Sequence, residues 1–254
     1  MKSKPKVTIL SAAYNHEPYL SDFFTSIAAQ DYSNIELIFS DDASTDSSSV
    51  KIEEIERFAG VSDIVGAYNR AWDLTIQPKN LGIWGNAIYL VEKLRQSDSK
   101  YVCLLEADDY IRFDRISKQV EFLENSGYQA VHSNCYAVDK DGKPLGRVWN
   151  TQPSGNVRKQ LEQGNFIMTC SFMTTRELFL EHYNYKLFHE QENLFFGDYG
   201  LFLSLSKNNE IAYMDECLAT YRILNDSASH APKHRPAMVE STLRYQELAR
   251  KGII

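Results

Sequence analysis

The sequence predicts an α/β fold, an open and mostly parallel sheet with helices on both faces, and three observations predict it. Residues 7–12 and 35–39 are nearly continuous apolar runs, the pattern of strands covered on both faces. Between them Leu20, Phe23, Phe24, Ile27 and Ala28 recur at helical spacing and line one side of a helix. Strand-like and helix-like runs then keep alternating through residues 7–135, the way parallel sheets are threaded.

The first strand follows a basic start, MKSKPK, but its apolar run is short and passes straight into Tyr14-Asn15-His16-Glu17, so it reads as a strand and not as a targeting segment. A second helix is expected after Asp46 with Val50, Ile55 and Phe58 facing inward, then a short strand at 74–76 before Pro78. A helical run at 87–94 leads to a buried strand at 101–105, and Ile116, Val120 and Leu123 mark a helix ending near Gly127 before a strand at 130–133. From residue 136 the pattern weakens: Asp139-Lys140-Asp141-Gly142 signals a turn, 152–164 reads as a loop, and apolar patterning returns at 166–173. This divides the chain into 1–135 and 136–229, two halves of one domain, and a C-terminal helical tail at 230–254.

In that tail Met238, Thr242, Tyr245 and Leu248 share a helical side, and Lys233, Arg235, Arg244, Arg250 and Lys251 outnumber Glu240 and Glu247. Such a helix either packs onto its own domain or docks on an anionic membrane surface or a partner, a second copy included.

Composition narrows the classes. A chain of 254 residues can bury a full core, and 43% hydrophobic with 24% charged residues excludes a disordered or fibrous protein. The net charge of -7 speaks against a general nucleic-acid partner. Cys103, Cys135, Cys170 and Cys217 form neither a CxxC pair nor a zinc cluster and read as reduced, buried thiols. No apolar stretch approaches the roughly 20 residues that span a bilayer, so the expected location is cytoplasmic, at most peripheral at the inner face of the membrane.

In open parallel sheets ligands bind outside the carboxyl ends of the strands. Two acidic clusters lie there. Ser40-Asp41-Asp42-Ala43-Ser44-Thr45-Asp46 follows the second strand, where a carboxylate can accept hydrogen bonds from a base or ribose, or simply cap the next helix. Glu106-Ala107-Asp108-Asp109 follows the strand at 101–105; close carboxylates are most easily tolerated ionised around a divalent cation such as Mg²⁺ or Mn²⁺, with capping as the alternative. Neither GxxxxGK[ST] nor GxGxxG occurs, and His189-Glu190 lacks the second His of HExxH, which leaves a metal-bridged diphosphate as the best account of the acids.

These residues resemble the family 2 glycosyltransferases of GT-A fold over nearly the whole chain. The likeness is carried by the run from Val7 to Asn15, by Ser26-Ile27 and Gln30-Asp31-Tyr32, by residues 35–46, by Asn80-Leu81-Gly82, by Glu106-Ala107-Asp108-Asp109 with Asp114-Arg115 as a DxD region, and by Phe196-Gly197-Asp198-Tyr199. The resemblance implies that Asp41 contacts the pyrimidine of a nucleotide, with Asp42 beside it and Ala12, Tyr14 and Asn15 lining the base and ribose pocket. It implies Asp108 on the ribose, Asp109 on Mn²⁺ or Mg²⁺, and Asp198 as general base. Glu106 stands where an Asp is commoner and is set aside as a ligand; Leu224 stands where many members have His, so His230 and Arg222 become candidates for phosphate or acceptor contact, a structural salt bridge being the equal alternative for Arg222.

The activity implied is transfer of a sugar from a nucleotide diphosphate donor, a UDP-sugar by preference, to a hydroxyl of a saccharide or lipid-linked saccharide with inversion, in bacterial surface polysaccharide or glycan synthesis. The alternatives are a catalytically silent nucleotide-sugar-binding module and a sugar-nucleotide pyrophosphorylase. The latter opens with a glycine-rich loop, and Ser11-Ala12-Ala13-Tyr14-Asn15 contains no glycine.

Overall fold

The fold is that of a computed structural model, which describes residues 3–61, 71–183, 197–225, 227 and 230–254, with the side chains of 58–61 left aside. His189-Glu190, Phe196 and the side chain of Phe58 therefore lie outside the described residues. In chain order the elements are β1 (Val7–Ala13), α1 (Leu20–Ala28), β2 (Ile35–Asp41), α2 (Ser48–Val61), β3 (Ala71–Ile76), α3 (Gly82–Gln96), β4 (Tyr101–Leu104), β5 (Tyr110–Ile111) and α4 (Arg115–Ser126). They continue as β6 (Ala130–Val138), β7 (Pro144–Arg147), α5 (Arg158–Leu161), β8 (Met173–Thr175), α6 (Arg176–His182), α7 (Gly197–Ser206), β9 (Ala212–Arg222) and α8 (Arg235–Arg250).

Among the described residues the strands form one sheet in the order β3-β2-β1-β4-β8-β6-β9-β5, with β7 folded back onto β6. β1 lies between β2 and β4 and is parallel to both, and β3 extends the same parallel run. β8 is antiparallel to β4 and to β6, after which β9 rejoins parallel to β6, so most paired residues lie in parallel ladders. The chain winds outward from β1 to β3 and then returns to place β4 on the other side of β1. That reversal opens a crevice at the carboxyl ends of β1 and β4, where doubly wound sheets bind ligands.

Strand alternation sorts the core into two layers. Val7 and Ile9 face a cluster with Leu20, Phe23 and Ile27 of α1, Ile52 of α2 and Ile116, Val120 and Leu123 of α4. Leu10 and Ile38 face the other layer, built from α3, α6, α7 and α8. α7 is apolar all round and buried, as a helix between sheet and outer helices must be.

The structure corrects several sequence expectations. Val50 is 56% exposed, because α2 starts at Ser48 and turns Ile52 inward in its place, while Ile55 packs on the core as expected. α3 starts five residues earlier than its apolar run, at Gly82, whose φ of 73° lies in the left-handed region. β6 extends to Val138 because β9 pairs along it, a long-range contact that local patterning does not carry, and the sheet therefore runs unbroken across position 135. Within 152–164 the chain forms the short α5 and a bridge between Gly155 and Ile211. All four cysteines are free and buried.

Of the two destinations for the tail, its own domain takes the apolar side: Tyr245, Leu248 and Ala249 are buried in the second layer. Arg158 ties it down by donating through Nη2 to the carbonyls of Ala249 (2.7 Å) and Ile254 (2.8 Å). Among the described residues no helix is long and apolar enough to cross a membrane.

His132, in the middle of β6, is fully buried against Phe166 and Tyr213, and neither ring nitrogen has a hydrogen-bond partner of good geometry. Burial pushes its pKa down to about 4, the nearby Pro153 carbonyl offsetting this only in part. The unfolded chain, with His near 6.5, then binds more protons than the folded one between pH 6.5 and 4, so stability is full above that window and falls as pH drops through it. A loss of roughly 3 kcal/mol is expected between pH 7 and pH 4 from this residue alone. Urea unfolding at the two pH values should show a drop that is smaller in His132→Leu; equal drops in both proteins would remove His132 as its source.

Candidate functional site

Parallel ladders bring the carboxyl ends of β1, β2 and β4 to one edge of the sheet, so the loops after them converge from three places in the sequence. The β1 and β2 loops are locked together. Asn15, with φ 58°, accepts from Thr45 N–H (2.8 Å) through Oδ1, and its own N–H donates to Ser44 Oγ (2.8 Å). Ser44 in turn donates through Oγ and N–H to the two oxygens of Asp41. Asn15 and Ala43 both adopt positive φ, an uncommon strain for residues with a side chain, and the side-chain bonds across the loops hold it.

The sequence-predicted nucleotide residues divide by exposure. Ala12, Tyr14 and Asn15 are exposed and rim the crevice. Asp41 is 0% exposed with both oxygens on Ser44. Asp42 is buried too, and its Oδ1 accepts the N–H of Leu81 (2.6 Å) while Asn80 Nδ2 donates to its carbonyl (3.0 Å). Burial raises the Asp42 carboxyl, opposed by the N–H groups of Leu81 and Gly82. Asp42 therefore anchors the Asn80-Leu81-Gly82 turn that starts α3.

The β4 loop shows a similar division. Asp109 is 1% exposed; its Oδ1 accepts the backbone N–H of Arg222 (2.8 Å), and burial holds its carboxyl well above the usual range. Asp108 is half-buried, and Glu106 opens to solvent. Although water reaches Glu106, protein surrounds its carboxyl, and this desolvation together with the charges of Asp198 and Asp108 pushes its pKa up to about 8. Asp198 stands in the first turn of α7, half-buried, with one oxygen accepting Thr169 Oγ1 (2.6 Å). Burial raises its carboxyl as well, against the pull of the Thr169 hydroxyl. Three carboxylates separated by up to 92 positions in the chain thus share one crevice.

Arg222 makes a structural ion pair with Asp22, and His230 lies beside Tyr221. Arg222, with a side chain only 2% exposed, lies over the rings of Tyr19 (4.9 Å) and Tyr110 (5.7 Å) and is bonded to protein on every side. Its Nε donates to the Asp108 carbonyl (2.9 Å), Nη1 to the carbonyls of Asp139 and Lys140, and Nη2 to Asp22 (2.9 Å). Four of its five N–H groups are thus committed to protein acceptors, so Arg222 clamps α1, the β4 loop and the turn at 139–140 together. His230 meets the Tyr221 hydroxyl through Nε2 (2.9 Å), and Leu224 is buried. The Asp114-Arg115 pair is likewise spent inside: Asp114 binds Arg112, and the fully buried Arg115 donates to Gln119 and the Phe172 carbonyl (3.0 Å).

Thr169 escapes sequence reasoning, because its only signal is a short 3-10 turn at Thr169–Ser171 next to a strand. Glu106, set aside in the sequence for departing from the commoner Asp, is part of the acidic cluster.

For a divalent cation the donor chemistry is hard oxygen. Among the described residues no three His, Cys, Asp or Glu side chains form a ready cage. Mg²⁺ sites on phosphorylated substrates need only one or two carboxylates, the phosphates and water completing the shell. Glu106 and Asp108 fit that pattern as two neighbouring hard-oxygen donors, the Glu106 carboxyl being raised by burial first and then by the charges of Asp198 and Asp108.

The Glycosyl transferase family 2 model matches residues 8–183. TuaG of Bacillus subtilis, a glycosyltransferase named for teichuronic acid biosynthesis, is 27% identical over 89% of this chain and 82% of its own length. WfaP of Escherichia coli, named a UDP-Glc:α-D-GlcNAc-diphosphoundecaprenol β-1,3-glucosyltransferase, is 24% identical over 93% of this chain and 84% of its own. The chain spans only about a third of three uncharacterised Rickettsia glycosyltransferases. Among solved structures, Staphylococcus aureus TarS 1-349 in complex with UDP-GlcNAc matches with a TM-score of 0.67 at 15% identity, over 96% of this chain and 66% of that one. Pyrobaculum calidifontis mannosyltransferase PcManGT in complex with GDP-Man and Mn²⁺ matches with a TM-score of 0.60 at 16% identity, over 98% and 74%. These likenesses give the fold as GT-A.

The clamp yields a stability prediction. Arg222→Met removes the four hydrogen bonds of a buried guanidinium, to Asp22 and three backbone carbonyls, and should cost roughly 3 kcal/mol. Urea denaturation at neutral pH measures it, and a loss below about 1 kcal/mol would show that the bonds are not holding the loops.

Proposed function

Because the chain belongs to glycosyl transferase family 2, we propose that it transfers a sugar from a nucleoside diphosphate donor, a UDP-sugar by preference, to a saccharide hydroxyl with inversion at the anomeric carbon. The observation that carries this reading is the meeting of Glu106 and Asp108 from the β4 loop with Asp198 from α7 in one crevice, beside the rim of Tyr14 and Asn15. The acceptor class is a saccharide or lipid-linked saccharide of bacterial surface polysaccharide synthesis, which the names of TuaG and WfaP support.

In this reading the nucleotide lies along the β1 and β2 loops, with Tyr14 against the base and the Asn15-Ser44-Asp41 lock fixing the pocket's floor. The metal-facing carboxylate is Asp108, with Glu106 beside it, and Asp109 holds the loop through Arg222. Bound Mn²⁺ or Mg²⁺ would act as a Lewis acid on the departing diphosphate. Asp198 takes the proton from the acceptor hydroxyl. The oxygen then forms its bond to C1 from the face opposite the nucleotide, and the bond from C1 to the diphosphate oxygen breaks with its electron pair leaving on the nucleotide. Burial raises the proton affinity of Asp198, which favours a carboxylate as base, and Thr169 fixes one of its oxygens so that the other faces the acceptor.

Two outcomes follow. Asp198→Asn should lower turnover by about 10² to 10⁴ while calorimetry finds UDP affinity in Mn²⁺ within about twofold of wild type. Near-normal turnover would remove Asp198 from the chemistry. For the metal, UDP affinity should fall on adding EDTA and in Asp108→Asn. Asp109→Asn should leave that affinity largely intact; if it abolishes the metal dependence and Asp108→Asn does not, Asp109 is the ligand instead.

A further inference from the structure

The residues assigned to the nucleotide lie at the ends of β1 and β2, the residue assigned to the acceptor proton lies on α7, and a contact made by α3 joins the two. α3 is fixed at its start to the end of β2: Asp42 Oδ1 holds Leu81 N–H (2.6 Å), Asn80 Oδ1 accepts Gly82 N–H (2.9 Å), and Asn86 Nδ2 donates to the Ser40 carbonyl (3.1 Å). Two residues beyond Gly82, Trp84 leaves this anchored turn and lays its ring edge on Gly197, the first residue of α7 and the neighbour of Asp198. A Cβ built at Gly197 would lie 2.8 Å from Cη2 of Trp84 and 3.0 Å from Cζ3. Carbon atoms prefer about 3.5–4.0 Å, so a methyl group there would force ring and helix apart by about 1 Å. The backbone of Gly197 is not in the left-handed region, so the ring alone makes a side chain unwelcome.

We propose that the Trp84–Gly197 contact positions Asp198, carrying the anchoring of the nucleotide loops through α3 to the start of α7. The proposal rests on the reading of Asp198 as the base. Trp84 and Gly197 are positioning residues: neither holds a proton or a phosphate, and both act through where Asp198 stands. Trp84 also packs against the buried layer that contains Tyr199 and Phe202, so its ring has limited room to swing aside. An oxygen displaced by about 1 Å from the attacking hydroxyl can cost up to about a hundredfold in rate, whereas the nucleotide loops keep their own bonds to α3 through Asp42 and Asn86.

The test is a double-mutant cycle on the full chain, read as kcat and KM for UDP release from whichever of UDP-glucose and UDP-N-acetylglucosamine the wild type turns over, with UDP affinity in Mn²⁺ by calorimetry. Gly197→Ala should lose about tenfold to a hundredfold in kcat with donor KM and UDP affinity within about twofold. Adding Trp84→Leu should restore kcat to the level of Trp84→Leu alone, a non-additivity that independent structural damage does not produce. Wild-type kcat in Gly197→Ala, or a double mutant no better than Gly197→Ala, overturns the proposal. If Gly197→Ala fails to fold, Trp84→Leu alone decides: lowered kcat at unchanged UDP affinity supports the contact, and wild-type kcat overturns it. Asp198→Asn measured alongside separates the two levels. Full turnover there defeats the base assignment itself, while an inactive Asp198→Asn with a fully active Gly197→Ala defeats the positioning contact.

Discussion

The guanidinium of Arg222 is the interaction on which the crevice depends. It stands at the end of β9, more than a hundred positions after the loop it serves, and reaches three separate stretches: Asp22 on α1, the Asp108 carbonyl after β4, and the turn at Asp139 and Lys140. A charge with almost no exposure costs several kcal/mol to desolvate, and it is kept only where hydrogen bonds and geometry compensate. Here Asp22, three carbonyls and the faces of Tyr19 and Tyr110 do so. The carbonyls need a donor as much as the guanidinium needs acceptors, so losing either side leaves buried polar groups unmatched.

Around that clamp the sheet gathers carboxylates against their repulsion. The burial of Asp109, the raised carboxyl of Asp198 and the Glu106 pKa of about 8 all record free energy held in the crevice. The architecture supplies it: parallel strands deliver their carboxyl ends to one edge, and α7, buried between the sheet and α8, delivers Asp198 to the same place. Under the proposed function this is the arrangement expected of a site completed by a cation and a diphosphate, since the cation relieves the repulsion among the carboxylates and the diphosphate completes the cation's shell.

Much of this was legible in the sequence. Apolar runs at 7–12 and 35–39 gave strands within two residues of β1 and β2, and the acids after 35–39 and 101–105 gave the edge of the sheet that carries the candidate site. What stayed hidden was long-range. β6 runs to Val138 because β9 lies beside it, and nothing local in Asn134 to Val138 announces that partner. Arg222 reads by type as a phosphate ligand or a salt-bridge partner, and the tertiary fold surrounds it with acceptors. Thr169 carries no motif at all, and its place against Asp198 follows from a short turn meeting a helix 29 positions later.

The doubled acids show why motif and geometry part company. Adjacent acids in a motif need not serve one ligand, because each is placed by its own backbone and partners. At 108 and 109 the inward one finds the N–H of Arg222, and Asp108 is left half-open to the crevice. At 41 and 42 both are turned inward: Asp41 takes Ser44 and closes its own loop, and Asp42 takes Leu81 and starts α3. A carboxylate so occupied gives a loop its shape by accepting N–H groups that would otherwise be orphaned, and the loop's shape then decides which backbone and rim groups meet the nucleotide. Each oxygen of Asp41 accepts one bond from Ser44, and a carboxylate has lone pairs for more, so the same group can hold the lock between the β1 and β2 loops and still accept a further donor.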